Sequence, residues 1–208
     1  MKTDEKHTKK LLVEGNDDKH VVLALCQKFN IPEIFDVIDC EGIDNLYDNL
    51  LLRFKQTDIE TIGVLIDADT NLNDRWLHIK NLLSKQGFNM PEKLPSSGLI
   101  LSNGDIKIGV WVMPNNNTDG ILEDFIAFLV PQNDELLPIV DTTLAEIENK
   151  ELNKYLPIHK SKARIHAWLA YQENPGTPMG LSITKKYLTT DNKNCEQLIA
   201  WLTKLFVE

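Results

Sequence analysis

Glu14 closes the apolar run Lys10-Leu-Leu-Val-Glu-Gly15, and Asp67 and Asp69 close a second, Thr61-Ile-Gly-Val-Leu-Ile66. Carboxylate oxygens are hard donors. Brought together, they suit Mg²⁺ (or Mn²⁺), which takes oxygen ligands, retains waters and is usually completed by substrate phosphate. An ion held this way can polarise a phosphoryl oxygen and orient a water, while a nearby carboxylate manages a proton. Residues so far apart in sequence meet if each sits at the C-terminal end of a parallel strand, where open α/β sheets collect ligands. In an extended segment alternate side chains share a side, so Asp67 and Asp69 are expected to face one cation with Ala68 turned away.

Other residues surround this trio. Gly15 permits a tight strand-to-helix turn and close approach of a phosphate to backbone near a helix N-terminus. Asp18, on the first helical turn, is favoured as a cap, with a supporting contact behind the ligands as the alternative. Glu123 and Asp124 open a later helix. They either complete a second metal position or merely complement the helix N-terminus, and being about 100° apart they do not face one ion equally. Lys160, Lys162 and Arg164, with His166, are the best phosphate contacts, and a lysine near a carboxylate-bound metal can stabilise transition-state charge; a solvated basic helix face is the plainer alternative. The histidines lack ligand spacing for a transition metal. Asp-x-Asp pairs also occur in phosphatases and sugar transferases, and strand-end carboxylates can serve only as turn caps.

The elements that must position these groups are legible in the hydrophobic period. Residues 10–15 read as a buried strand stopping at Gly15, then a helix capped by Asn16 or Asp17, with Val21, Val22, Leu25 and Phe29 at helical spacing before Ile31-Pro32. Residues 34–40 and 43–54 repeat the pattern. Thr61 to Ile66 is the most strand-like run, and Asn73 or Asp74 caps a third helix ending near Gly87. Three β-then-α units predict a parallel sheet with covering helices. Residues 98–102 and 107–113 then read as two strands joined at Asn103-Gly104-Asp105. Further helices follow, one carrying Leu122, Phe125, Ile126 and Leu129, one carrying Ile165, Trp168 and Leu169, and a last one over 196–206. The expected organisation is one domain over 1–208, with an α/β core at 1–130 and a mostly helical extension at 131–208 packed on it.

Composition narrows the function. Hydrophobic residues are 42% and charged residues 25%, as in ordinary globular chains, and the charged start resembles neither a signal peptide nor a membrane span. A cytoplasmic protein with no membrane partner is expected. Cys26, Cys40 and Cys195 lack zinc or redox spacing and read as reduced packing thiols. A net charge of −9 argues against electrostatic coating of nucleic acid. Charge is nonetheless uneven: residues 1–150 hold 14 Lys and Arg against 26 Asp and Glu, and residues 151–190 hold 6 against 2.

Val13-Glu14-Gly15-x-x-Asp18, followed by a hydrophobic strand and Asp67-x-Asp69, resembles the Toprim domain of topoisomerases, bacterial primases and OLD-type nucleases. The stretch Gly109-Val-Trp-Val-Met-Pro-Asn-Asn with Gly120-Ile-Leu-Glu-Asp-Phe125 is similar to small bacterial Toprim-like proteins related to the OLD nucleases, and in that sense the resemblance spans most of the chain. It implies an α/β Toprim-like fold, mainly parallel, with a helical C-terminal portion. It also implies a general acid or base at Glu14 and Mg²⁺ on Asp67 and Asp69. One position departs: Asn115 stands in the Met-Pro loop where that group often carries aspartate, which weakens any metal role for the loop.

The leading expectation is therefore a Mg²⁺-dependent nuclease with Glu14 and Lys162 as catalytic groups, Glu14, Asp67, Asp69, Glu123 and Asp124 around metal, and Gly15, Lys160, Lys162 and Arg164 on phosphate. The alternative is a non-catalytic Toprim-like module binding nucleotide, nucleic acid or a separate protein partner in a defence or repair assembly. Small-molecule phosphohydrolase activity is a third reading. A homo-oligomer is compatible with all three.

Overall fold

The computed structural model describes residues 5–104 and 106–208; Asp105, and with it the tip of the expected hairpin turn, lies outside the described residues. Five strands form one sheet: β1 (Lys9–Val13), β2 (Asp36–Asp39), β3 (Thr61–Asp67), β4 (Leu99–Asn103) and β5 (Ile106–Met113). Their order is β2-β1-β3-β5-β4, and all neighbours are parallel except β4 and β5. Eight α-helices accompany them among the described residues: α1 (Asn16–Lys28), α2 (Ile43–Arg53), α3 (Leu72–Lys85), α4 (Leu122–Leu129), α5 (Leu136–Asn149), α6 (Lys160–Ala170), α7 (Met179–Thr184) and α8 (Lys193–Phe206). The α/β class, the mainly parallel sheet and the helical C-terminal portion are as expected.

Strand alternation divides the core between the two faces of the sheet. Leu11, Val13, Leu65, Trp111 and Met113 point to one side, where they pack with residues of α1, α4, α6, α7 and α8. Leu12, Val64, Ile66, Val110 and Val112 point to the other, against α2 and α3. Both faces of β3 are thus covered, which accounts for its unbroken apolar run. Gly63 and Gly109 leave room for α8: a Cβ on Gly109 would stand 2.4 Å from Leu205 Cδ2, and one on Gly63 2.9 Å from Phe206 Cζ. Trp111 and Trp168 are fully buried, and the three cysteines are free and buried, in agreement with the reading of the cysteines as packing thiols.

Local signals were less exact than the period. The N-cap of α1 is Gly15, not Asn16 or Asp17, and that of α3 is Asn71, whose side chain accepts from the Asp74 N–H. Phe29 falls just beyond α1, as its C-cap, and is exposed.

The connections decide where a site can form. The chain runs from β1 outward to β2, then returns to place β3 on the other side of β1. The C-terminal ends of β1 and β3 therefore flank the point where strand order reverses, the crevice that open α/β sheets use for ligands.

Candidate acidic centre at the strand ends

Glu14 follows the last residue of β1 and Asp67 is the last of β3. The backbone around Glu14 is held: its carbonyl accepts from Gly42 N–H at 2.7 Å, and its Oε1 accepts from Asp67 N–H at 2.8 Å. This one bond ties the two strand ends together. Asp18 reaches back from the first turn of α1, its Oδ2 accepting from Gly15 N–H at 3.1 Å, which is the expected capping role. Glu123, on the first turn of α4, is only 3% exposed. Its Oε1 lies 4.0 Å from both Lys162 Nζ and His166 Nε2.

These four carboxylates share one electrostatic environment. Burial raises the pKa of Glu14, of Glu123 and, well above the usual carboxylate range, of Asp67; the charges of Asp18, Glu14 and Glu123 push Asp67 further in the same direction. Burial together with the Glu14 charge raises Asp18 to about 7. Oδ1 of Asp18 and Oδ1 of Asp67 are both buried without a hydrogen-bond partner. Leaving an acceptor unpaired inside a protein costs about 1–3 kcal/mol, and more when it carries charge. Two such oxygens in one acidic cluster call for a proton or a cation.

Asp69 departs from expectation. Strand β3 ends at Asp67, and Asp69 takes the left-handed conformation with φ 52°, so the extended alternation that would align it with Asp67 does not continue. The cause is tertiary. Asp69 and Gly120 exchange both backbone hydrogen bonds, at 2.9 and 2.8 Å, which turns the chain across the β5–α4 loop. Gly120 fits this contact through its φ of 137°, and a Cβ there would stand 2.7 Å from Asp124 Oδ2. The Asp69 carboxylate instead pairs with Arg75, whose other guanidinium nitrogen donates to Tyr47 Oη at 3.3 Å.

Other predicted site residues are differently engaged. Asp124 accepts from Ile121 N–H at 2.8 Å and from Ser161 Oγ at 2.6 Å, so it serves as the cap of α4 and a tie to α6. Lys160 pairs with Glu148 at 2.6 Å, and Arg164 pairs with Asp141 at 2.6 and 2.9 Å, both directed at α5. Of the basic trio only Lys162 faces the acidic centre. Gly15 is extended, φ −145° and ψ 176°, so the turn does not need glycine's conformational freedom as expected, and nothing closer than 3.5 Å would meet a Cβ. Asn115 folds its Oδ1 onto Asn117 and Thr118 N–H as a turn. Arg75 and Tyr47, absent from the expected site, could have been found only from the fold: α2 and α3 bring them beside Asp69.

The donor set is all oxygen, which fits a hard divalent cation. Among the described residues, however, no three or more His, Cys, Asp or Glu side chains are grouped so that they could hold a metal ion as they stand. Glu14 is turned onto the Asp67 amide and Asp69 onto Arg75. A cavity of about 620 Å³ elsewhere, between β4 and α8, is lined by no carboxylate. No helix among the described residues is long and apolar enough to cross a membrane.

An α/β sheet with buried carboxylates at its switch point defines the class of this molecule. The chain belongs to the family described as "Protein of unknown function (DUF3226)", whose model matches residues 8–207. That description does not mention a Toprim domain. No curated protein matches the chain. Among solved structures, the chain is similar to the C-terminal region of the Xanthomonas campestris pv. campestris OLD protein, at 18% identity over 87% of this chain and 78% of that one, with a TM-score of 0.41.

Proposed function

We propose that the protein is a Toprim-type, Mg²⁺-dependent phosphoryl-transfer enzyme, a nuclease acting on DNA or RNA phosphodiesters. The observation that carries this reading is the pair of buried, unpartnered oxygens, Asp18 Oδ1 and Asp67 Oδ1, within a cluster of four carboxyls of raised pKa. Asp67 and Glu123 would hold the cation with Glu14, and Asp69 would join them once freed from Arg75. Bound there, Mg²⁺ (or Mn²⁺) would supply Lewis-acid polarisation of a phosphoryl oxygen.

The chain's own groups do the rest. Glu14, whose pKa burial raises, is placed to exchange a proton with a group bound at the strand ends. Lys162 is the cation nearest Glu123, and it is about half exposed, so it can reach a phosphate entering from solvent. Asp18 orients the turn through Gly15 N–H. Asp124, Lys160 and Arg164 act on the helical packing. The experiment is cleavage of single- and double-stranded DNA and RNA with Mg²⁺ or Mn²⁺, comparing wild type with Glu14→Gln and Asp67→Asn. Cleavage abolished in both variants supports the reading; equal cleavage in all three proteins contradicts it.

The second reading, a non-catalytic module that binds nucleotide, nucleic acid or a protein partner, is favoured by the Arg75–Asp69 pair, which already neutralises one of the carboxylates. It predicts binding without turnover across metals and substrates.

A further inference from the structure

Arg75 is, among the described residues, the guanidinium that neutralises a carboxylate of the Asp-x-Asp pair. Its side chain is mostly buried while that of Asp69 is more than a third exposed, so solvent or an ion can reach the carboxylate without first displacing α3. Asp69 itself cannot move far, because its backbone is bonded in both directions to Gly120. Arg75 can. It lines a cavity of about 380 Å³ together with Ile43, Tyr47, Asp69, Asn71 and His78. Its second contact, Tyr47 Oη, lies on that same wall, and Tyr47 is backed by the His78 ring, stacked with centroids 4.3 Å apart. The guanidinium thus has a retained partner and free volume beside it. Glu14 also feels Arg75 as a charge that lowers its pKa, which sets the guanidinium at the border of the acidic centre.

We infer that Arg75 is a built-in placeholder for a divalent cation at Asp69, and that cation and guanidinium compete for this carboxylate. The inference rests on the proposed metal site. In the cation-free chain Arg75 limits repulsion among the strand-end carboxylates. When a cation engages Asp69, the guanidinium withdraws into the adjoining cavity and keeps its bond to Tyr47. Arg75 is accordingly a positioning residue, acting on the cation through Asp69, and it lowers the apparent affinity of the centre for metal.

The test is calorimetric titration of Mn²⁺ into wild type, Arg75→Gln, Arg75→Lys, Asp69→Asn and the Arg75→Gln/Asp69→Asn double variant, with circular dichroism melts confirming that each is folded. Competition predicts that Arg75→Gln binds Mn²⁺ roughly five- to tenfold tighter than wild type, the size expected for removing a partly buried ion pair. Arg75→Lys, which keeps the charge, stays within about threefold of wild type. In the Asp69→Asn background, Arg75→Gln changes affinity by less than about twofold. A gain of the same size in both backgrounds overturns the inference, because it shows Arg75 acting as a distant charge. Unchanged or weaker binding in Arg75→Gln overturns it too, while leaving the metal site intact. Absence of Mn²⁺ binding in every protein overturns the metal site itself and the inference with it.

Discussion

The strand-end carboxylates and the basic segment of α6 both stand out as charge, yet the fold treats them in opposite ways. In α6, Lys160 and Arg164 are satisfied by Glu148 and Asp141 of α5, in pairs that lie partly in solvent. At the strand ends, Asp18, Asp67 and Glu123 are packed together with raised pKa values and two oxygens unpartnered. Exposed pairs of opposite charge are worth about 0–1 kcal/mol, whereas crowded buried carboxylates oppose folding by more than that. A packing role explains the first arrangement. It does not explain the second, which is why the proposed function is placed at the sheet rather than on the basic helix. Lys162 and His166 link the two regions, each 4.0 Å from Glu123 Oε1.

The comparison can be broken most severely at Asp67 and Glu14. Asp67→Asn or Glu14→Gln is expected to reduce Mg²⁺-dependent phosphodiester cleavage by about a hundredfold or more, read from initial rates on labelled oligonucleotides. Both variants should remain folded.

The next effect concerns stability, and it runs against intuition. A carboxyl whose folded-state pKa is raised favours the fold while protonated. For Asp18 that contribution is complete below the ordinary value of 3.8 and is lost as pH rises through about 7. The cation-free protein should therefore lose stability between about pH 4 and 7. Asp18→Asn keeps an acceptor for Gly15 N–H but carries no charge. It is expected to be more stable than wild type at pH 8, by an amount on the order of 2 kcal/mol, and the gain should shrink toward pH 4. Denaturant melts at the two pH values check this.

Lys162 sharpens the contrast within α6. Lys162→Ala should lower kcat about tenfold with little change in KM, while Lys160→Ala and Arg164→Ala stay within about twofold of wild type. The smallest effect belongs to Asp124. Losing its bond to Ile121 N–H in Asp124→Ala should cost about 1 kcal/mol of stability, read as a lower melting temperature, with cation affinity unchanged.

The same contrast shows what a chain of this kind discloses before it is folded. The alternation of apolar strands and amphipathic helices defined the sheet, and the residues closing Leu11–Val13 and Thr61–Ile66 pointed to Glu14 and Asp67, because strand ends follow from local period. Asp69 was beyond that logic. Its left-handed turn depends on backbone bonds to Gly120, a contact no local pattern encodes. The engagement of Lys160 and Arg164 was hidden for the same reason: their partners lie on α5, and i, i+4 spacing describes only one helix. Asp18 was legible as a cap, since capping is local, but the burial of its unpartnered Oδ1 within reach of the Glu14 charge is a product of tertiary structure.

The central claim, that the strand-end carboxylates form a cation site, is tested most directly by calorimetric titration of Mg²⁺ and Mn²⁺ into wild type, Asp67→Asn and Asp124→Asn at pH 8. The predicted result is saturable binding to wild type and Asp124→Asn, with at least about tenfold weaker binding to Asp67→Asn. No binding to wild type, or equal binding to all three, would contradict it.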